Sequence, residues 1–339
     1  MKKRLYPFFL FVLFIPFFLH LTSCRAPYFH FLEGESMGTF YHIKYQASEK
    51  DIFAKEIDSL LITINNSLST YIPKSTIARF NALDKGVESD PYFEEVFLAA
   101  KEVYKKTGGA FDPTVMPLVN AWGFGFNDMA NIDSNLIDSL IQFVAFDQVS
   151  LKNGYVSKKV PGIMLDFSAI AKGYGVDVVA EFLESKGVKN YMVEIGGEVR
   201  LKGNNPKRKK WAVGLEVPEE HLSAQQNYKV IINATDISIA TSGNYRNFYY
   251  KDGVKYAHTI DPKSGYPIFN DMLSATVLHP DCMIADAYAT AFMVLGKEKS
   301  LEIVKNNPEL MVYFVYKNEK GEEKAWYSEK IKNWLTYSE

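Results

Sequence analysis

The stretch YMVEIGGEVRLKG, Tyr191 to Gly203, decides the fold class. Its two halves, YMVEI and EVRLKG, read as short strands, and the pair Gly196–Gly197 between them reads as a bulge or tight turn. Toward the C-terminus the pattern continues through WAVGLEV, YKVIIN, ISIAT, YRNFYY and LSATVL. A helix predicted at residues 283–295 interrupts the run, and LMVYFVYK with EKAWYS makes a closing hairpin.

Toward the N-terminus the signals are mostly helical. A helix is predicted over residues 169–186. In DPYFEEVFLAAKEVYKKTGG, Asp90 caps, Pro91 takes the first turn, and Phe93, Val96, Phe97, Ala100, Val103 and Tyr104 fall on one side. Gly108 and Gly109 end that helix. Ile57, Leu60, Leu61, Ile64 and Leu68 recur at steps of three and four, with Ser48 as the expected N-cap. TFYHIKY, Thr39 to Tyr45, suits a strand. Residues 126–163 read as a surface excursion with one short helix near Ile137 to Phe143 and two short strands. Strands in runs and helices in groups argue an α+β fold, a largely antiparallel sheet packed with helices, and not a doubly wound parallel sheet. It forms a single large unit or two interlocked subdomains.

The first residues are a targeting signal and stand outside the fold. Lys2, Lys3 and Arg4 precede an apolar run broken by Pro7, Pro16 and His20, which ends in LTSC at Cys24. This pattern resembles a bacterial lipoprotein signal over residues 1–23, with Cys24 the acylated residue and residues 24–35 a linker before the folded body over 36–331. The alternative, an uncleaved spanning helix, needs about 20 apolar residues. Acyl chains hold a protein at a membrane surface without a spanning helix. Removing the three leader cations takes the net charge from −2 to −5. A mildly acidic body lacks the basic footprint of a nucleic-acid binder, and NNPKRKK at Asn204–Lys210 reads as a solvated hairpin turn. With Cys24 acylated, Cys282 has no disulfide partner, so the hydrophobic core must supply the stability.

Six stretches carry candidate chemistry. LDFSAIAKGYGVD (Leu165–Asp177) holds Asp166, Lys172 and two glycines, Gly173 and Gly175, inside a helix, where each glycine costs about 1 kcal/mol relative to alanine. Such glycines imply a close neighbour, either a dinucleotide or the opposing sheet. The stretch lacks the order of a phosphate-cradling Walker loop. GGAFDPTVMPLVNAWGFG, EIGGEVRLKG, TSGNYRNFY and HTIDPKSGYPI are glycine-centred or polar turns, each weak alone. In IADAYATAFMVLG, Asp286 and Thr290 stand four apart and project from one helix face. A carboxylate and a hydroxyl so spaced suit Mg²⁺ but are too sparse to hold it alone. A capped or salt-bridged carboxylate is the plain alternative.

Taken in order with SMGTFYHIKY and LSTYIPKSTIARFN, these motifs closely resemble the FAD:protein FMN transferase (ApbE) family over residues 36–296. The resemblance implies a T-fold-like body, FAD as substrate, AMP as leaving group, Mg²⁺ as cofactor and transfer of FMN to a threonine hydroxyl. Implied partners are flavin-acceptor proteins with a threonine-containing motif, subunits of ion-pumping oxidoreductases, and the membrane, through a lipid anchor on the extracytoplasmic (periplasmic) side of the cytoplasmic membrane. Implied metal ligands are the Ala169 carbonyl with Asp286 and Thr290; where some members carry a further acid, this chain has Ala289, so water or phosphate completes the shell. Implied FAD contacts are Met37, Tyr71, Ala110, Phe111, Asp112, Asp166, Lys172 and Ile260. Lys172 meets a flavin edge or ribose in this reading and is not in a fixed ion pair. His258 is the implied base, Asp261 orients it or helps the metal site, and Arg246 steadies a phosphate. Two alternatives stay open: an FAD pyrophosphatase giving FMN and AMP, and a non-catalytic FAD-binding lipoprotein.

Overall fold

A computed structural model describes residues 28–125, 132–215, 230–244, 248–251 and 254–337. The leader, Cys24 and Arg246 lie outside the described residues. No helix among the described residues is long and apolar enough to cross a membrane.

The chain opens with a hairpin, β1 (Tyr28–Ser36) and β2 (Thr39–Ala47). Helices α1 (Ala54–Leu68) and α2 (Thr76–Ala82), strand β3 (Gly86–Glu88), and helices α3 (Pro91–Lys106), α4 (Met116–Ala121) and α5 (Ser134–Ile141) follow. Strands β4 (Val149–Lys152) and β5 (Tyr155–Lys158) lead into α6 (Ala171–Ser185). The strand run is β6 (Tyr191–Ile195), β7 (Glu198–Lys202), β8 (Trp211–Leu215), β9 (Val230–Ala234), β10 (Ile237–Gly243), β11 (Phe248–Lys251), β12 (Val254–Ala257) and β13 (Met272–His279). Helix α7 (Cys282–Asn306), strands β14 (Met311–Lys317) and β15 (Glu323–Tyr327), and a terminal β16 (Leu335–Tyr337) complete the fold.

One eight-stranded sheet, in the order β1-β2-β6-β7-β10-β13-β14-β15, organises everything else, and all its pairings are antiparallel. At its centre β6 and β7 form the hairpin read from the sequence, Ile195 opposite Glu198, turning through Gly196 (φ 61°) and Gly197 (φ 102°). Positive φ at both positions is why glycine stands there.

The two faces of this sheet bury different things. Tyr191, Val193 and Ile195 of β6 join the main core with Ile57, Phe93, Val176 and Phe292 of the helices. Val199 and Leu201 of β7 enter a second core with Trp211, Leu215 and Ile232, under the small sheet β16-β9-β8. Fully burying such side chains is worth about 1.5–3 kcal/mol each, so the two cores need no disulfide to support them. Cys282, the one described cysteine, is a buried thiol.

Asp90 caps α3 as expected, accepting from the Tyr92 and Phe93 amides. Ser48 does not cap α1: that helix starts at Ala54, the Ser48 hydroxyl bonds Asp51, and the leading Phe53 amide donates to the Tyr45 hydroxyl. The expected linker at 24–35 is replaced from Tyr28 onward by strand β1. Its pairing with β2 explains this, because it seats Phe29 against Trp211 and stacks His30 on Tyr45. The excursion at 126–163 is less superficial than expected, since Phe146, Val149, Val156 and Ile163 are buried in the main core. The body continues past residue 331, where β16 adds to β9. Helix α7 runs beyond residue 295, with a break at Gly296 (φ 73°).

Helices α6 and α7 cross unusually closely. A Cβ on Gly173 would stand 2.4 Å from the Cys282 carbonyl oxygen, and one on Gly175 would stand 2.9 Å from the Met37 sulfur. Of the two neighbours expected, the sheet is the one that presses on Gly175, through Ile195 of β6 beside Met37, whereas Gly173 faces the backbone of α7. From α6, Asp177 accepts the amides of Cys282 and Met283, supplying the N-terminal cap that α7 lacks from its own Asp281.

Candidate active site

A cavity of about 920 Å³ opens where the β6–β7 turn, the start of α6 and the first turns of α7 meet. It collects Tyr71, Ala110, Phe111, Asp112, Asp166, Ala169, Lys172, His258, Ile260, Asp286 and Thr290 from five separate stretches of chain. Met37 is left out of the lining. It occupies the β1–β2 turn with φ 54° and packs beside Gly175.

Local chemistry sets the acids. Asp112 is buried beneath the cavity wall, and its Oδ1 accepts the Thr114 amide at 2.8 Å and hydroxyl at 2.5 Å. Burial pushes its carboxyl above the ordinary range, against those hydrogen bonds. Asp166 makes the same kind of turn with the Ser168 amide and hydroxyl, ahead of α6, which begins only at Ala171. It braces the loop that carries Ala169, and does not cap the helix itself.

The centre of the site is a group of three charges. Lys172 Nζ lies 2.8 Å from Glu198 Oε1 and 3.9 Å from Asp286 Oδ1. Lys172 thus has a defined ion-pair partner, contrary to the expectation of none. Burial alone would lower its pKa, but Asp286 and Glu198 more than offset this and raise it. Burial pushes the Glu198 carboxyl above the ordinary range, with Lys172 opposing and Asp286 reinforcing. Asp286 is raised by burial too, opposed by Lys172 and by the Gly173 amide, which donates to Oδ2 at 3.0 Å.

Sequence reasoning missed Glu198. The signal was present in an acid directly after a glycine pair, at the first position of a strand that continues into core residues Val199 and Leu201.

His258 follows β12 and lines the cavity, with the Phe124 ring edge-on at 6.4 Å. Asp261 does not line it. Its carboxylate accepts the Lys263 amide, and its own backbone bonds Gly265 and Tyr266, so it builds the turn. The same turn is tied down by Trp122, whose Nε1 donates to the Gly265 carbonyl at 2.9 Å and whose ring stacks on Tyr256.

The donor set suits a hard divalent cation. Asp286 Oδ1 accepts no hydrogen bond among the described residues, while Thr290 and Ala169 line the same cavity. Glu198 Oε2 is buried with no hydrogen-bond partner, an orphaned acceptor beside this set. No group of three or more His, Cys, Asp or Glu side chains able to hold a metal occurs among the described residues. A set with one carboxylate leaves positions for phosphate oxygens and water.

Comparison with known proteins agrees with this geometry. A family model described as the ApbE family matches residues 37–314. A FAD:protein FMN transferase of Vibrio cholerae is 39% identical over 317 residues, covering 89% of this chain and 92% of that protein. One of Haemophilus influenzae is 38% identical over 306 residues, covering 86% and 87%. The solved structure of flavin transferase ApbE from Vibrio cholerae matches with a TM-score of 0.82 at 37% identity, over 91% of this chain and 99% of that one. The apo form of the Pseudomonas stutzeri flavinyl transferase ApbE gives 0.80 at 31% identity, over 91% and 97%. Motif order, sheet topology and cavity thus point the same way, and the chain belongs to the ApbE family.

Proposed function

We propose that this protein transfers FMN from FAD to a threonine hydroxyl of a target protein and releases AMP. The observation that carries the reading is the convergence of Ala169, Lys172, His258, Asp286 and Thr290 on one cavity of about 920 Å³. That volume is at the upper end of the range of about 300–1,000 Å³ for ligand pockets, as a dinucleotide requires.

Tyr71, Ala110, Phe111, Asp112, Asp166, Lys172 and Ile260 contact FAD in this reading. The Ala169 carbonyl, the Asp286 carboxylate and the Thr290 hydroxyl would hold Mg²⁺, which neutralises pyrophosphate charge and polarises phosphorus, an effect worth several kcal/mol. His258 accepts the proton of the incoming threonine hydroxyl. The threonine oxygen forms a bond to the FMN phosphorus, the bridging P–O bond breaks, and AMP departs with the electron pair. Trp122 holds the turn after His258 in place.

Cys24 carries the lipid in this reading. The enzyme then works on the extracytoplasmic face of the cytoplasmic membrane, on acceptors such as subunits of ion-pumping oxidoreductases. Incorporation of radiolabelled palmitate into the wild-type protein, and its loss in Cys24→Ala, tests the anchor.

The decisive experiment for the activity mixes the protein, FAD, Mg²⁺ and a target bearing a threonine motif. Flavin fluorescence that stays with the denatured target band supports the transferase. Release of free FMN at the same rate without a target overturns it in favour of a pyrophosphatase.

A further inference from the structure

The charge group at the centre of the cavity has an arrangement that the proposed transfer reaction does not by itself require. Three observations bear on it. Lys172 approaches Glu198 to 2.8 Å but stays 3.9 Å from Asp286, although both carboxylates are within reach of its flexible stem. Glu198 is 3% exposed, and its Oε2 has no partner, so the carboxylate is not built into a fold-stabilising network on both oxygens. Asp286 is oriented by the Gly173 amide on Oδ2, while Oδ1 accepts no hydrogen bond among the described residues and stands 3.9 Å from the Lys172 ammonium.

The backbone assists this choice. Gly196 has φ 61°, and a Cβ there would stand 3.2 Å from the Lys172 Cδ and 2.7 Å from the Thr39 methyl. The missing side chain is what lets the lysine stem lie along the β6–β7 turn and reach Glu198 at the start of β7.

Resting on the reading that Asp286 helps hold a divalent cation, we infer that Glu198 is a positioning residue that sequesters Lys172 and keeps Asp286 Oδ1 open for the metal. Two carboxylates and one ammonium carry a net charge of −1, an attractive site for a dication. Without the Glu198 charge, the ammonium and Asp286 form a neutral pair, and an incoming cation must displace the lysine. Coulomb attraction in a low-dielectric cavity makes that competition severe. The three residues come from α6, β7 and α7, so the β6–β7 turn, and not the metal-binding helix alone, sets the affinity.

The test uses the FAD-saturated protein without an acceptor, titrated with Mn²⁺ and read by the electron paramagnetic resonance signal of the free ion, with FAD alone as the blank. Glu198→Gln is expected to weaken Mn²⁺ binding at least tenfold. Glu198→Gln combined with Lys172→Met is expected to return it to within about threefold of wild type, since removing the lysine reopens Asp286; a purely structural role for Glu198 gives no such rescue. Lys172→Met alone is expected to bind Mn²⁺ at least as tightly as wild type, and it serves as the reading if Glu198→Gln does not fold. Wild-type affinity in Glu198→Gln, no rescue in the double variant, or weakened binding in Lys172→Met each overturns the inference. If the wild-type protein binds no Mn²⁺ beyond the blank, the metal reading itself fails and takes this inference with it.

Discussion

Asp177 on α6 accepts the Met283 amide at 2.8 Å, so one helix caps the start of the next across the interface that carries the candidate metal ligands. The same carboxylate takes the Cys282 amide at 3.0 Å and the Arg200 guanidinium at 2.7 Å. Ala169 precedes α6 and Asp286 lies in the first turns of α7, so this cap helps fix the spacing between them.

Asp177→Ala leaves two buried amides without an acceptor and Arg200 without its closest partner. Breaking a buried pair in this way costs about 3–5 kcal/mol. Urea denaturation should show that loss, and Asp177→Asn, whose one carbonyl oxygen still accepts from one of the two amides, should recover part of it. Equal stability of the alanine variant and the wild type would refute the cap.

Gly173→Ala places a methyl against the Cys282 carbonyl, a backbone atom that cannot swing aside. Overpacking of this kind costs about 1–3 kcal/mol, and it pushes apart the helices that present Ala169 and Asp286. Thermal melting should fall, and FMN transfer should fall further than the stability loss explains. Gly187 is the control: it has φ 80° and open space around it, so alanine there costs only about 1 kcal/mol and leaves transfer intact.

Tyr71 is 74% exposed although it lines the cavity. Tyr71→Ala should leave the melting temperature unchanged and raise the KM for FAD several-fold, as read by initial rates of target flavinylation. An unaltered KM would remove Tyr71 from the FAD contacts.

Asp286→Ala removes the single carboxylate of the proposed metal set. Metal stabilisation of several kcal/mol corresponds to a loss of about 10²–10³-fold in transfer rate, with FAD binding, followed by flavin fluorescence quenching, largely kept. His258→Ala should lose about 10²–10⁴-fold while both Mg²⁺ and FAD still bind. Near-normal turnover in either variant would strike that residue from the mechanism.

Alkaline pH should unfold the protein through its buried tyrosines. Burial, and then a bond to Asp58 or Asp147, pushes the Tyr41 and Tyr104 hydroxyls up to about 12, and burial does the same for Tyr288 and Tyr313. The folded state holds these protons more tightly than the unfolded state, whose tyrosines ionise near 10. Their contribution is therefore complete below pH 10 and is lost as pH rises toward 12. Ultraviolet titration should show a late, cooperative tyrosinate transition that coincides with loss of far-ultraviolet circular dichroism.

Much of this molecule was legible in its sequence because local rules carry it. Asp90 before Pro91 marked α3, the glycine pair marked the β6–β7 turn, and four-residue spacing put Asp286 and Thr290 on one face. What stayed hidden depends on partners distant in the chain. Gly173 announced a close neighbour without naming α7, and Lys172 gave no sign that Glu198 waited across the sheet. Residues 28–35 read as linker because their pattern makes sense only once β2 supplies the register. Ser48 failed as a cap because the Tyr45 hydroxyl, from a neighbouring strand, had already taken the Phe53 amide.

Strand β1 begins at Tyr28, only four positions after Cys24. A chain spans at most about 3.3–3.6 Å per residue, so a lipid on that cysteine gives the body a leash of roughly 14 Å. Under the anchoring proposed above, so short a leash would hold the body against the bilayer. Acceptors of an enzyme held in that way would have to present their modified residue at headgroup level.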